Sequence, residues 1–250
     1  MLQYRTKGVA DVEKMDRLWP EGYAFLFDDA LFQPSTDSFL LGDFVRTRRG
    51  DRVCDLGAGT GLLGLLLLAR QPELSVTDVE IQEAACDLAR RSAELNGLGD
   101  RITVLRQDLC QLDRLPRSAF DLVVANPPYF SAGSGAVSPD PARSTARSEM
   151  RCTLEDVCAA ADHLLRYGGR FFLVFRPDRM AELFALLQKY RLEPKRLRFV
   201  QHSAASAPSL LLLECRKGGR PGLTVEPPLL LRSADGRDTP EADRVYFRDR

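Results

Sequence analysis

Apolar and polar positions along this chain fall into two regimes. From Asp51 onward, short runs of β-type residues alternate with segments whose apolar positions recur at helical spacing. The strands expected from this pattern cover residues 52–56, 74–78, 102–106, 120–125 and 170–175, and the helices cover 61–70, 83–96, 153–167 and 181–190. Such alternation implies a parallel sheet with helices on both faces. Residues 196–202 and 209–215 then read as two strands with no helix between them, joined by small residues and Pro208 as in a hairpin. The expected fold class is α/β: a mostly parallel, seven-stranded sheet ending in an antiparallel hairpin. One more short strand is expected near 229–231, in a tail rich in Gly, Pro and Arg. Before Asp51 the pattern is weaker. Residues 22–27 and 31–32 read as short strands and 38–46 as a short helix, with Thr36 or Asp37 as its N-cap.

A chain of 250 residues suits one domain with short extensions. The expected division is an N-terminal extension over 1–45 and a main domain over 46–250. Lys and Arg number 35, as do Asp and Glu, so the formal net charge is zero. That balance does not by itself point to nucleic acid, although a local basic face remains compatible with it. Six cysteines with no C-x-x-C pair, beside two histidines, argue against a zinc site and a disulfide framework, so no metal is expected. The first residues are polar and lack the apolar stretch of a signal peptide. The longest apolar run, residues 62–69, falls far short of the ~20 residues that span a bilayer. A soluble, cytoplasmic protein is expected, as a monomer or homodimer, without membrane contact.

Two motifs carry chemistry. Asp55, Gly57, Gly59 and Gly61 alternate in a turn that follows one expected strand and opens a helix. Glycines there permit a tight turn and close approach of a ligand beyond the carboxyl end of the strand. Glu80, at the end of the next strand, is placed to accept hydrogen bonds from two ribose hydroxyls. Turn and acid together indicate an adenosine-type cofactor. Gly59, Gly61 and Gly64 also satisfy the dinucleotide spacing G-x-G-x-x-G, a weak signal alone. Taken singly, each glycine is more often an ordinary feature of a strand–helix turn.

The second motif is Asn126-Pro127-Pro128-Tyr129, directly after the apolar strand 120–125. An exocyclic amino group is a poor nucleophile because its lone pair is delocalised into the ring. The Asn126 side-chain oxygen and the Pro127 carbonyl can accept its two N–H bonds, and proline stiffens the loop. That holds the nitrogen in line for transfer and stabilises the charge that develops on it. Tyr129 can stack on a flat target, as aromatics do on splayed bases. No strong general base is required, since the proton can leave to water after transfer. Alone, two prolines and an aromatic after a strand also make a plain loop stop.

The first motif resembles that of class I methyltransferases, and Asn-Pro-Pro-Tyr resembles the catalytic motif of their amino-group members. The resemblance implies S-adenosylmethionine as cofactor and a Rossmann-like fold. It implies that Asp55 orients the methionine part, that Gly57, Gly59 and Gly61 admit it, and that Asp108 bonds the adenine amino group. Residues 22–27 and the run Leu31-Phe32-Gln33-Pro34-Ser35-Thr36-Asp37-Ser38-Phe39-Leu40-Leu41-Gly42 look like the N-terminal segment of the bacterial tRNA adenine-N6 methyltransferases. Those enzymes modify the adenosine next to the anticodon of a valine tRNA. The resemblance spans roughly residues 20–247. It implies tRNA as partner and puts Thr36 and Asp37 at the cofactor pocket. It also implies a substrate-contacting role for Arg143, Arg147 and Arg151, whose spacing of four shares one side if that segment is helical. Ala207-Pro208-Ser209 departs from the family, which has a basic residue entering its last strand. Methylation of a protein glutamine or another RNA amino group uses the same tetrapeptide, and a non-catalytic nucleic-acid-binding module is the alternative of another class. Intact Asp55, Glu80, Asp108 and Asn126 argue against the latter.

Overall fold

The computed structural model describes residues 13–28, 34–127 and 152–250. A hairpin of β1 (Glu13–Arg17) and β2 (Ala24–Asp28) forms a small sheet of its own. Next come α1 (Thr36–Phe44), β3 (Arg52–Leu56), α2 (Leu62–Arg70), β4 (Ser75–Glu80), α3 (Glu83–Leu95), β5 (Ile102–Arg106) and β6 (Phe120–Ala125). After residue 152 come α4 (Leu154–Leu164), β7 (Leu165–Phe175), α5 (Met180–Lys189), β8 (Leu192–Gln201), β9 (Pro208–Lys217), β10 (Thr224–Leu230) and α6 (Pro240–Val245). The main sheet has the order β10-β8-β9-β7-β6-β3-β4-β5. Only β9 runs against its neighbours.

The expected α/β class and antiparallel hairpin are therefore present, with eight described strands in the sheet rather than seven. The extra strand is β10, which covers β8 and reaches further back than the three residues expected. Its Pro227 and Pro228 fall where the register with β8 breaks, between Glu226 and Leu229. Proline cannot donate to a ladder and is tolerated at an edge irregularity. Arg196 and Arg198 lie on the stretch of β8 that pairs with β10. Arg196 donates to Glu214 at 2.9 Å and to the Phe44 carbonyl at 2.7 Å. Arg198 forks onto Glu241 at 2.8 Å.

Period-two alternation divides the core between the two faces of the sheet. Leu122, Val124, Phe172 and Val174 pack on one side with α1 and α2. Val123, Ala125, Phe171, Leu173 and Phe175 pack on the other with α4 and α5. Helix α2 is buried over seven consecutive residues, 62–68, as its all-round apolar sequence requires. Several boundaries differ from expectation, two of them at helix ends with a clear local cause. Helix α4 ends at Leu164, because Leu165 already pairs with Phe120 and opens β7. Helix α1 begins at Thr36 with Ser35 in the cap position, so neither Thr36 nor Asp37 is the cap. The second predicted N-terminal strand, 31–32, lies outside the described residues.

The N-terminal hairpin is tied to α3. Asn96 holds Ala24 on both sides, accepting from its N–H at 2.8 Å and donating to its carbonyl at 2.7 Å. The Leu26 N–H donates to Ser92 Oγ at 2.9 Å. Leu40, Leu41 and Phe44 of α1 join the same core cluster as α2. No described helix is long and apolar enough to cross a membrane.

Candidate functional site

The carboxyl ends of β3, β4, β5 and β6 lie on one edge of the sheet, because these strands are mutually parallel. Strand β3 sits between β4 and β6, the point where the chain order reverses and open α/β sheets bind ligands. Asp55 and Leu56 end β3 and pair with Asp78 and Val79 of β4. The glycine turn folds back onto β4: the N–H groups of Gly57 and Ala58 donate to the Val79 carbonyl at 2.9 and 3.1 Å.

Gly57, Gly59 and Gly61 all have left-handed φ angles, of 69°, 55° and 76°. Two of them show why glycine is required. At Gly57 nothing lies within 4 Å of where a side chain would project, so the backbone itself faces open space. At Gly61 a side chain would start 3.0 Å from Asp78 Oδ2 and 3.1 Å from the Ala89 Cβ. The turn is thus left-handed at its three glycines, open above Gly57 and closed beneath Gly61.

Glu80 is buried and is bonded more extensively than the sequence suggested. Its Oε1 accepts from the N–H groups of Ile81 and Gln82 at 2.8 and 2.9 Å, and its Oε2 accepts from Gly59 at 2.9 Å. The carboxylate staples the glycine turn to the chain leaving β4, and Oε2, with a single N–H bound, keeps acceptor capacity beyond these bonds. Asp55 is 2% exposed and its Oδ2 has no protein partner among the described residues. Burial first, then the Asp78 and Glu80 charges, push the Asp55 carboxyl well above the ordinary range. Asp108, just past β5, is half-buried and accepts from the Cys110 N–H at 2.9 Å.

These features fit a ligand with a cationic head and vicinal hydroxyls. An orphaned buried carboxylate oxygen lacks only a donor, and the backbone at Gly57 leaves room for close approach. Asp55 would hold the cationic end, Glu80 the hydroxyls and Asp108 an exocyclic amino group further along the edge.

Asn126 follows β6 directly, and Pro127 is buried behind it. The Asn126 side chain does not hang free. Its Nδ2 donates to Ser38 Oγ at 3.0 Å and to Ser35 Oγ at 3.3 Å. These serines belong to the N-terminal segment, yet neither was singled out from sequence. Of the residues that were, Thr36 donates to Asp37 at 3.3 Å and is exposed. The spacing of three between Ser35 and Ser38 was the available signal, since it puts both hydroxyls on one side of a helix start. Pro128, Tyr129, Arg143, Arg147 and Arg151 lie outside the described residues.

Asp78 was also passed over. It is 1% exposed, with both oxygens unpartnered among the described residues and Gly61 and Gly64 packed against it. Burial pushes its carboxyl from 3.8 to about 7.

The family model described as the methyltransferase small domain matches residues 35–192, from the cap residue of α1 to the start of β8. The chain belongs to the small-domain methyltransferases. Within this family, a tRNA1(Val) (adenine(37)-N6)-methyltransferase of Tolumonas auensis is 31% identical over 239 residues, covering 91% of this chain and 98% of the relative. A methyltransferase of the same name from Porphyromonas gingivalis is 35% identical over 188 residues, covering 72% of this chain and 73% of the relative. Among solved structures, a protein described as a predicted O-methyltransferase from Agrobacterium tumefaciens superposes with a TM-score of 0.70 at 26% identity, over 84% of this chain and 95% of that one. The methyltransferase match runs through the glycine turn, Glu80, Asp108 and Asn126, the residues gathered on the carboxyl edge.

Proposed function

We infer that this methyltransferase uses S-adenosylmethionine to methylate the N6 amino group of an adenine in tRNA, the adenosine next to the anticodon of a valine tRNA. The observation that carries the reading is Asn126-Pro127 on the carboxyl end of β6, beside the strand that ends in Asp55 and the glycine turn. The similarity to tRNA adenine-N6 methyltransferases over nearly the whole chain supports the substrate. The site would act where tRNA is found, in the cytoplasm, with residues 46–250 as the catalytic unit and 1–45 as the segment that completes it.

Bound S-adenosylmethionine supplies an electrophilic methyl group. The chain's own residues do the rest. Asp55 anchors the amino acid end through a charge-assisted bond in a water-poor pocket, where such bonds are strong. Glu80 takes the ribose hydroxyls while keeping the turn closed. Asn126 Oδ1 and the Pro127 carbonyl accept the target's two N–H bonds, fix its nitrogen in line and offset the positive charge that grows there. The roles of Pro128 and Tyr129 as loop stiffener and stacking face belong to the same reading, as do phosphate contacts by Arg143, Arg147 and Arg151.

The deciding experiment supplies labelled S-adenosylmethionine to total tRNA, total protein and DNA from cells lacking this protein, followed by nucleoside analysis. Label recovered as N6-methyladenosine in tRNA is the expected outcome. Label in protein, or none, would overturn the substrate.

A further inference from the structure

Zinc sites that can be read from sequence show cysteines at close spacing, and this chain has no C-x-x-C pair. Folding nevertheless brings two distant cysteines together. Cys110 lies four residues past β5, on the turn closed by the Gln111 N–H and the Asp108 carbonyl. Cys152 stands directly before Thr153, the cap of α4. The Cys110 and Cys152 sulfurs and a carboxylate oxygen of Asp156 all lie within 4.8 Å of one another. The other four cysteines, Cys54, Cys86, Cys158 and Cys215, are buried, whereas Cys110 is exposed and Cys152 half-buried.

The three groups are held as a ligand set would be. Asp156 Oδ2 accepts from the Thr153 N–H at 2.8 Å and from the Thr153 hydroxyl at 2.7 Å. Such outer bonds orient a metal-binding carboxylate, and Oδ1 keeps its acceptor capacity for a ligand. The Cys110 N–H donates to Asp108 Oδ1 at 2.9 Å, which anchors its turn. Cys152 Sγ donates only a weak bond, to the Thr153 carbonyl at 3.6 Å. In a tetrahedral zinc site two sulfurs stand about 3.8 Å apart and a sulfur and an oxygen about 3.6 Å, so each pair needs to close by at most about 1.2 Å. Rotation of exposed and half-buried side chains covers such a distance. Two sulfur ligands favour zinc over hard cations such as magnesium and calcium. With the carboxylate, two thiolates outweigh a divalent cation by one negative charge, which the N-terminus of α4 favours.

We propose that Cys110, Cys152 and Asp156 form a zinc site whose fourth position is open to solvent. On binding, each thiol gives its proton to solvent, and two Zn–S bonds and one Zn–O bond form. The ion clasps the Asp108 turn to the head of α4 and so closes a loop of chain that contains β6 and Asn126-Pro127. None of its ligands is assigned to the cofactor or the target, so the site stands independently of the substrate reading.

The test is a titration of reduced, untagged protein with Co2+ alone, whose absorption reports sulfur ligation, followed by Zn2+. One equivalent of Co2+ should produce thiolate-to-metal charge transfer and the intense visible bands of tetrahedral cobalt. Zn2+ should displace it, and Mg2+ at about a hundredfold excess should not. Cys110→Ser and Cys152→Ser should each weaken Co2+ binding about a hundredfold or more, and Asp156→Asn about tenfold. S-adenosylmethionine affinity within about twofold of native would show that the variants are folded. Zn2+ should also raise the urea midpoint of the native protein and leave that of Cys110→Ser unmoved. Co2+ uptake without sulfur charge transfer would overturn the proposal, as would charge transfer that survives when both cysteines are replaced. Reduced protein that takes up no metal would overturn it too, even where air joins the two sulfurs in a disulfide.

Discussion

Replacing Asp78 by Asn should flatten the dependence of stability on pH. Asp78 is 1% exposed, sealed between β4 and the start of α2, and neither carboxylate oxygen has a partner among the described residues. Its pKa rises from 3.8 to about 7 because burial penalises the charged form. A folded-state pKa above the unfolded one means that the native state binds the extra proton between these values. The stabilisation is complete below the unfolded pKa and is lost as pH rises through the folded one. At about pH 5 the native group is protonated while the unfolded one is largely ionised; by about pH 8 both are ionised. Integrating over that interval, this group should cost the protein about 2.5 kcal/mol of stability. Asp78→Asn preserves shape and neutrality at every pH, so any packing or hydrogen-bond penalty of the amide is the same at both ends and cancels. Removing the charge also relieves Asp55, its partner across the β3–β4 register, which flattens the profile further. The assay is equilibrium urea unfolding of native and variant protein at the two pH values, without cofactor. Native and variant profiles that run parallel across the interval would refute the assignment.

Other outcomes follow from the same edge of the sheet. Because burial raises the Asp55 pKa, affinity for S-adenosylmethionine should increase with pH as that carboxyl ionises; calorimetry in buffers of different ionisation enthalpy should register proton release, which Asp55→Asn abolishes. Asn126→Ala should lower kcat by roughly a hundredfold with little change in cofactor affinity, whereas Glu80→Gln should weaken cofactor binding about tenfold or more, both read by titration and single-turnover transfer. Helix α4 begins with a reciprocal cap, in which Asp156 N–H donates to Thr153 Oγ1 at 3.2 Å and Thr153 N–H donates to Asp156 Oδ2 at 2.8 Å, so Thr153→Ala should cost ~1 kcal/mol in urea unfolding and leave cofactor affinity unchanged.

Much of this molecule is written in local pattern. Alternating strand and helix periods specify a parallel sheet because each unit buries a face of its own, and the glycine turn with Glu80 is local too: turn and acid end neighbouring strands. Asn126-Pro127 follows its strand in sequence and therefore stands at its end in space. What the sequence did not disclose depends on elements that meet only after folding. The serines of α1 lie about ninety residues from Asn126, and only the packing of α1 beside α2 brings their hydroxyls to the amide. Strand β10 extends back to Thr224 and covers Arg196 and Arg198, because its residues gain a ladder on β8 that no local rule foretells. Asp78 carries no local signal of its own; it is a buried acid because Gly61 and Gly64 let α2 close over it. Sequence alone determined the fold class and the chemical alphabet of the site, since both follow from periods of two and 3.6 and from residues adjacent along the chain. Tertiary structure decided which way that alphabet points, because burial, hydrogen-bond partners and the cost of a charge are properties of neighbours in space.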